Sequence, residues 1–210
     1  MITSKELSLC LKGSREYIQG ANMLIASMEA VAQRAQGKSI QNLNFSINKM
    51  TAKNLVFSWW EKGQPLAVHR EPIATCFFDL EGVPYEGGLV ENKDSVKMRV
   101  PFDESLITSR CEISPIEKVI RLIDTPSGIS PIEILVSMNK ALHYQVYTIP
   151  GDSQWVFCRW ESAAWPINDE MAGITITLEQ SLGTRLTRAR VELKKELIGR
   201  IYFSARNSGT

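Results

Sequence analysis

The side chains best suited to proton-transfer chemistry in this chain are few and sharply placed. Between Tyr17 and Gln33 only Glu29 carries a charge. A carboxyl on an apolar helix has its ionised form disfavoured by desolvation, which lifts its pKa toward neutrality and suits it to general acid–base work. The chain holds two histidines, His69 and His143, and imidazole is the side chain whose ordinary pKa lies nearest neutral pH. Tyr17 can donate a proton or orient a substrate, but an ordinary pKa near ~10 makes it a poor base. Each has a plainer reading. Glu29 can pair with a buried cation, His69 between Val68 and Arg70 reads as an exposed strand residue, and His143 on an apolar helix reads as a paired core histidine.

Other chemistries find little support. The sequence has no HExxH, no Walker-type glycine loop, no GxGxxG after a strand, no Cys/His cluster with metal spacing and no Gly-x-Ser-x-Gly. Metal, nucleotide and serine-hydrolase functions therefore fall away. Cys10, Cys76, Cys111 and Cys158 are scattered without CxxC spacing and read as four reduced thiols in a cytoplasmic protein. The start of the chain does not read as a signal peptide, and no apolar run approaches the ~18–20 residues needed to cross a bilayer. A net charge of +1 on 210 residues gives no expectation of nucleic-acid or membrane binding.

The elements that must position these groups read as two similar halves. Apolar residues at helical spacing predict a helix over 20–35, ended by Gly37. A second helix is expected after Ser130-Pro131, where Ser caps and Pro suits the first helical position, and an extra helix is expected over 115–124. Strands follow each main helix, in the second half over about 153–162, 172–181, 184–194 and 197–205. "LVFSWWE" at 55–61 returns as "WVFCRWE" at 155–161, and "SMEAVAQ" at 27–33 parallels "SMNKALH" at 137–143. Strand-like pieces, "KELSLC" (5–10) and "ESLITSRC" (104–111), precede each helix. The common order suggests an internal duplication, with units over 1–102 and 103–210. On that alignment Asn139 matches Glu29 and His143 matches Gln33. Asn139 itself reads as structural. The first helix, apolar nearly all round, should be enclosed, and two curled sheets side by side would form one continuous sheet.

A helix sheathed in a curled antiparallel sheet resembles the hotdog fold, and several residues are similar to its β-hydroxyacyl-thioester dehydratase branch. "EAVAQ" at 29–33 matches that branch's Glu-Ala-x-Ala-Gln helix end, "YIQG" at 17–20 stands where its His-Phe-Pro-Gly turn falls, and "IPGDSQWVF" at 149–157 carries its Pro-Gly-Asp step. The resemblance implies an α+β tandem (double) hotdog of two central helices, each wrapped by a curled antiparallel sheet.

It also implies a lyase of fatty acid or polyketide biosynthesis. Its substrate would be an acyl thioester on the phosphopantetheine of an acyl carrier protein or of coenzyme A, with no further cofactor and no metal. Glu29 would occupy the catalytic acidic position, Tyr17 stands where the catalytic histidine is expected, and His143 or His69 could face Glu29 from the other copy. Gly20 opens a helix whose N–H groups could hold the thioester carbonyl, with Gln33 and Asn139 as further substrate contacts. Hydrolysis or isomerisation is the neighbouring chemistry. A double hotdog that has lost its catalytic pair and serves as a regulatory or assembly subunit is the alternative. Fused units already supply the contact that single hotdogs obtain by dimerising, so a monomer or a homodimer is expected.

Overall fold

The computed structural model describes residues 2–64, 71–167, 169–183 and 185–207. They divide into two units, residues 1–102 with 162–166, and residues 103–161 with 167–210.

In the first unit, β1 (Thr3–Glu6) and the short β2 (Leu11–Lys12) lead to helix α1 (Gly20–Ala35), which stops where Gln36 and Gly37 take left-handed backbone angles of 51° and 89°. The strands β3 (Ile40–Ile47), β4 (Lys53–Glu61), β5 (Ala74–Leu80) and β6 (Val83–Ser95) follow, and β7 (Arg99–Val100) pairs in parallel with β2. The sheet runs β1-β4-β6-β5-β3, with antiparallel ladders from β1 to β5 and between β5 and β3. Along β4 the period-two alternation buries Leu55, Phe57 and Trp59 on one face, and the Phe57 and Trp59 rings stack at 5.1 Å. Gly87 on β6 lies where a Cβ would meet the Phe57 ring at 2.8 Å, so the aromatic core dictates the glycine.

The second unit opens with α2 (Ser105–Thr108), β8 (Cys111–Ser114) and β9 (Val119–Leu122), then α3 (Pro131–Val146) and the strands β10 (Ser153–Trp165), β11 (Thr175–Leu182), β12 (Leu186–Leu193) and β13 (Glu196–Asn207). Its sheet order is β10-β13-β12-β11-β9-β8. Helix α3 begins as its sequence predicts. Pro131 is the first helical residue, and Ser130 closes a capping box in which its hydroxyl donates to the Glu133 carboxylate at 2.8 Å. The helix packs on β9, β11 and β13, against the inward rows Ile176 and Leu178, Thr187, Ala189 and Val191, and Ile201 and Phe203.

Several expectations are corrected. Residues 115–124 hold no helix. Pro115 to Lys118 form a turn, with Lys118 at φ 57°, and Val119–Leu122 pairs with β8 as a hairpin. Ser105–Thr108, read as strand, is a helical turn seated by the Asp103 carboxylate, which accepts from the Ser105 amide. The two Phe-x-x-Trp-Glu copies are not equivalent either. The first lies in β4, the second strand after its helix, and the second in β10, the first strand after its own. An inward aromatic at every second position is what any half-buried strand of such a sheet requires, so the match reports shared packing and not shared position. In strand placement the units also differ: β6 inserts between β4 and β5, whereas β11, β12 and β13 form a plain meander.

The tightest packing constraint in the second unit is at Gly199, where an added Cβ would lie 2.5 Å from the Trp160 ring and 2.6 Å from the Glu161 carbonyl oxygen. Gly199→Ala is expected to destabilise the protein by about 1–3 kcal/mol through overpacking. Gly151→Ala, with nothing within 4 Å of its Cβ, is expected to stay within about 0.5 kcal/mol of wild type. Denaturant midpoints of the two variants check the contrast.

Candidate functional site

Helix α1 is not enclosed on all sides. Glu29, Ala32, Gln33 and Gln36 are exposed, and their i, i+3, i+4, i+7 spacing makes them one solvent-facing stripe. The stripe escaped sequence reading because one of its members is the small apolar Ala32. Glu29 therefore sits in water on the third turn of the helix, outside the apolar enclosure expected for it. Gln33, beside it, accepts a hydrogen bond from the Lys5 ammonium. Tyr17 and Gly20 are half-buried, the first in the loop before α1 and the second at the helix start. His69 lies outside the described residues.

The second helix is arranged in the opposite way. Ser27 and Met28 are buried on α1, as are their counterparts Ser137 and Met138 on α3, so the helical correspondence holds there. One residue further on it breaks. Asn139 and His143, matched to the exposed Glu29 and Gln33, are both 0% exposed. They stand one turn apart on the inward face of α3.

His143 is fully engaged. Its Nδ1 lies 2.6 Å from the Asn139 carbonyl oxygen and its Nε2 lies 2.6 Å from Thr187 Oγ1 on β12. A carbonyl only accepts, so Nδ1 carries the proton and Nε2 receives the Thr187 hydroxyl proton. The longer 3.3 Å approach of that hydroxyl to the Phe203 carbonyl is secondary. Rings of Trp155, Phe203 and Tyr147 surround the imidazole at 4.5, 5.1 and 5.8 Å. Burial among them pushes its pKa down to about 4, against a smaller upward pull from the Asn139 carbonyl. His143 is thus a neutral link from helix to sheet. Thr187 was not singled out by sequence reading, although the alternation Thr187, Ala189, Val191 places it on the inward row. That register is the signal that points to it.

The Asn139 side chain is the anomaly. Both Oδ1 and Nδ2 are enclosed without a hydrogen-bond partner, and so is Nε1 of Trp155, which packs on the same imidazole. Each buried polar group left unpaired costs on the order of 1–3 kcal/mol. The centre of the second unit therefore offers a carboxamide acceptor and several N–H donors in apolar surroundings. Among the described residues, no group of three or more His, Cys, Asp or Glu side chains is placed to hold a metal, and no helix is long and apolar enough to cross a membrane.

No protein-family model matches the chain, and no curated protein matches it in sequence. Solved structures do match in shape. The tesB protein of Mycobacterium avium subs paratuberculosis superposes with a TM-score of 0.53 at 12% identity, covering 95% of this chain and 92% of that one. The dehydratase domain of PpsC from Mycobacterium tuberculosis, solved in complex with C12:1-CoA, gives 0.47 at 8% identity over 98% and 93%. The dehydratase domain from the CurF module of curacin polyketide synthase gives 0.48 at 7% identity over 91% and 85%. A helix packed on an antiparallel sheet, made twice in one chain, is the arrangement of the tandem hotdog fold. This protein is a double hotdog.

The buried imidazole makes stability depend on pH in a definite direction. Its folded pKa of about 4 lies below the ordinary ~6.5 of an unfolded chain. Its contribution is therefore whole above about pH 6.5 and is lost as pH falls toward 4. Between pH 7 and pH 4.5 the loss from this group is expected to be about 2–3 kcal/mol. His143→Gln removes the titration, so its unfolding free energy should fall less steeply over that range. Parallel slopes for the two proteins would contradict the assignment.

Proposed function

We propose that this double hotdog is an enzyme acting on an acyl thioester carried by coenzyme A or an acyl carrier protein, with its polar centre at Asn139 in the second unit. The observation that carries the reading is the enclosed, unpaired carboxamide of Asn139. A thioester carbonyl is an acceptor for Nδ2, and a water or substrate hydroxyl is a donor for Oδ1. Donors aimed at a carbonyl from dry surroundings stabilise the negative charge that develops there in acyl chemistry. The acyl chain itself, being apolar, can replace the side-chain contacts it displaces on entering such a core. The phosphopantetheine that carries the acyl group is the sole cofactor this reading needs. Dehydration of a β-hydroxyacyl thioester stays within it, with hydrolysis as the neighbouring outcome. Glu29, being exposed, takes no part in the polar centre, and Tyr17 and Gly20 take their proposed roles only if the reaction is read out at α1.

One observation favours a second reading. Both nitrogens of His143 are engaged and its pKa is held at about 4, so this imidazole is no ready base at neutral pH. A chain that binds an acyl thioester without turning it over, as a regulatory or assembly subunit, fits that restraint.

The two readings separate in one experiment. Wild type is incubated with saturated, β-hydroxyacyl and enoyl thioesters, following thiol release and enoyl absorbance, while binding is measured by thermal shift. Turnover that drops roughly a hundredfold in Asn139→Ala and is unchanged in Glu29→Gln is the expected result. Binding without turnover selects the second reading, and neither binding nor turnover rejects both.

A further inference from the structure

The Asn139 carboxamide is enclosed, so a group that is to pair with it must first be let in. Asn139, His143 and Tyr147 stand at i, i+4 and i+8 and form one row along α3. The row runs about 12 Å, from the enclosed amide to the C-terminal end of the helix. In the other direction it continues into Leu135, which is fully buried, as are Ile134 and Met138 beside it on the helix. The C-terminal end is therefore the open direction.

The three rings around the imidazole are held in different ways. Trp155 and Phe203 belong to β10 and β13, and both are buried. Tyr147 lies one residue beyond the helix, with extended backbone angles (φ −124°, ψ 136°), and is half-exposed. Its amide donates to the His143 carbonyl at 2.8 Å, which pins its backbone to the helix end. Its ring meets His143 at 5.8 Å and Trp155 at 5.6 Å, tilted by 41° and 48°. Among the described residues its hydroxyl has no hydrogen-bond partner. Ring contacts alone hold this side chain.

The chain that follows borders solvent, with Thr148, Pro150, Gly151 and Asp152 exposed. By turning about its Cα–Cβ bond, the Tyr147 ring can leave the imidazole without breaking a backbone hydrogen bond. Side-chain rotations of this kind are fast and local. The movement uncovers His143 and the Trp155 indole that packs on it, whose Nε1 is enclosed and unpaired. His143 is in turn joined to Asn139 through Nδ1, so the uncovered surface leads along the row to the amide.

We propose that Tyr147 is the gate of the second unit's polar centre: its ring closes the C-terminal end of the α3 row, and its rotation opens a way to Asn139. What the gate admits rests on the acyl-thioester reading, whereas the opening is a property of the free protein. Solvent exchange of the Trp155 indole and Asn139 carboxamide protons, followed by NMR on the full chain labelled at nitrogen, reads the opening without substrate. Tyr147→Ala is expected to speed both exchanges about tenfold or more, while the backbone amides of α3 from Leu135 to His143 keep their wild-type rates. Tyr147→Phe, which keeps the ring, should stay within about twofold of wild type. The Trp60 indole, also enclosed and unpaired but in the first unit, is the internal reference and should not change. Wild-type exchange at Trp155 or at Asn139 in Tyr147→Ala would overturn the proposal. So would an equal gain in the α3 amides, which reports local unfolding, or a Tyr147→Phe variant as fast as Tyr147→Ala. No turnover enters the readout, so a gate that opens in a protein inactive on every thioester counts against the catalytic reading alone.

Discussion

A neutral imidazole joined to a threonine hydroxyl holds the second unit's helix to its sheet. His143 spends one nitrogen on the carbonyl of Asn139, within its own helix, and the other on Thr187 of β12. The first contact fixes which tautomer is present, and the tautomer decides that the second contact must be an acceptance from Thr187. Because three aromatic rings close around it, the imidazole cannot take a second proton without leaving a charge in apolar surroundings.

The two units put this arrangement to unequal use. Helix α1 presents Glu29 and Gln33 outward, whereas α3 turns the matching Asn139 and His143 into the core. The first unit's interior is filled by Phe57, Phe45, Phe78 and Met28 and leaves Nε1 of Trp60 unpaired, and the second encloses the unpaired Asn139 carboxamide and Trp155 Nε1. Unsatisfied polar groups in an otherwise well-packed interior are costly, and such costs concentrate where a protein meets its substrate.

Much of the architecture could be read from the amino-acid pattern. Both main helices, the capping of α3 at Ser130-Pro131 and the strands after it stand where spacing and turn residues put them, because those signals are local. The stretch over 115–124, which holds β9 and the turn before it, reads as a helix because "IEKVIRLI" carries apolar residues at both periods, and pairing with neighbouring strands decides between them. The candidate site was less legible. That Glu29 faces water and Asn139 does not depends on the rotation of each helix over its sheet. The contact of Thr187 with His143 spans 44 residues of chain, and no short motif encodes it.

Everything in the second unit's centre turns on His143 being a neutral Nδ1-protonated imidazole bound to Thr187. Long-range proton–nitrogen correlation NMR on protein labelled at histidine nitrogen reads this directly. A protonated Nδ1 and a bare Nε2 are expected at neutral pH, with no second protonation until the pH nears the value of about 4 set by burial. An Nε2-protonated ring, or a titration midpoint close to the ordinary ~6.5 of a free histidine, would contradict it.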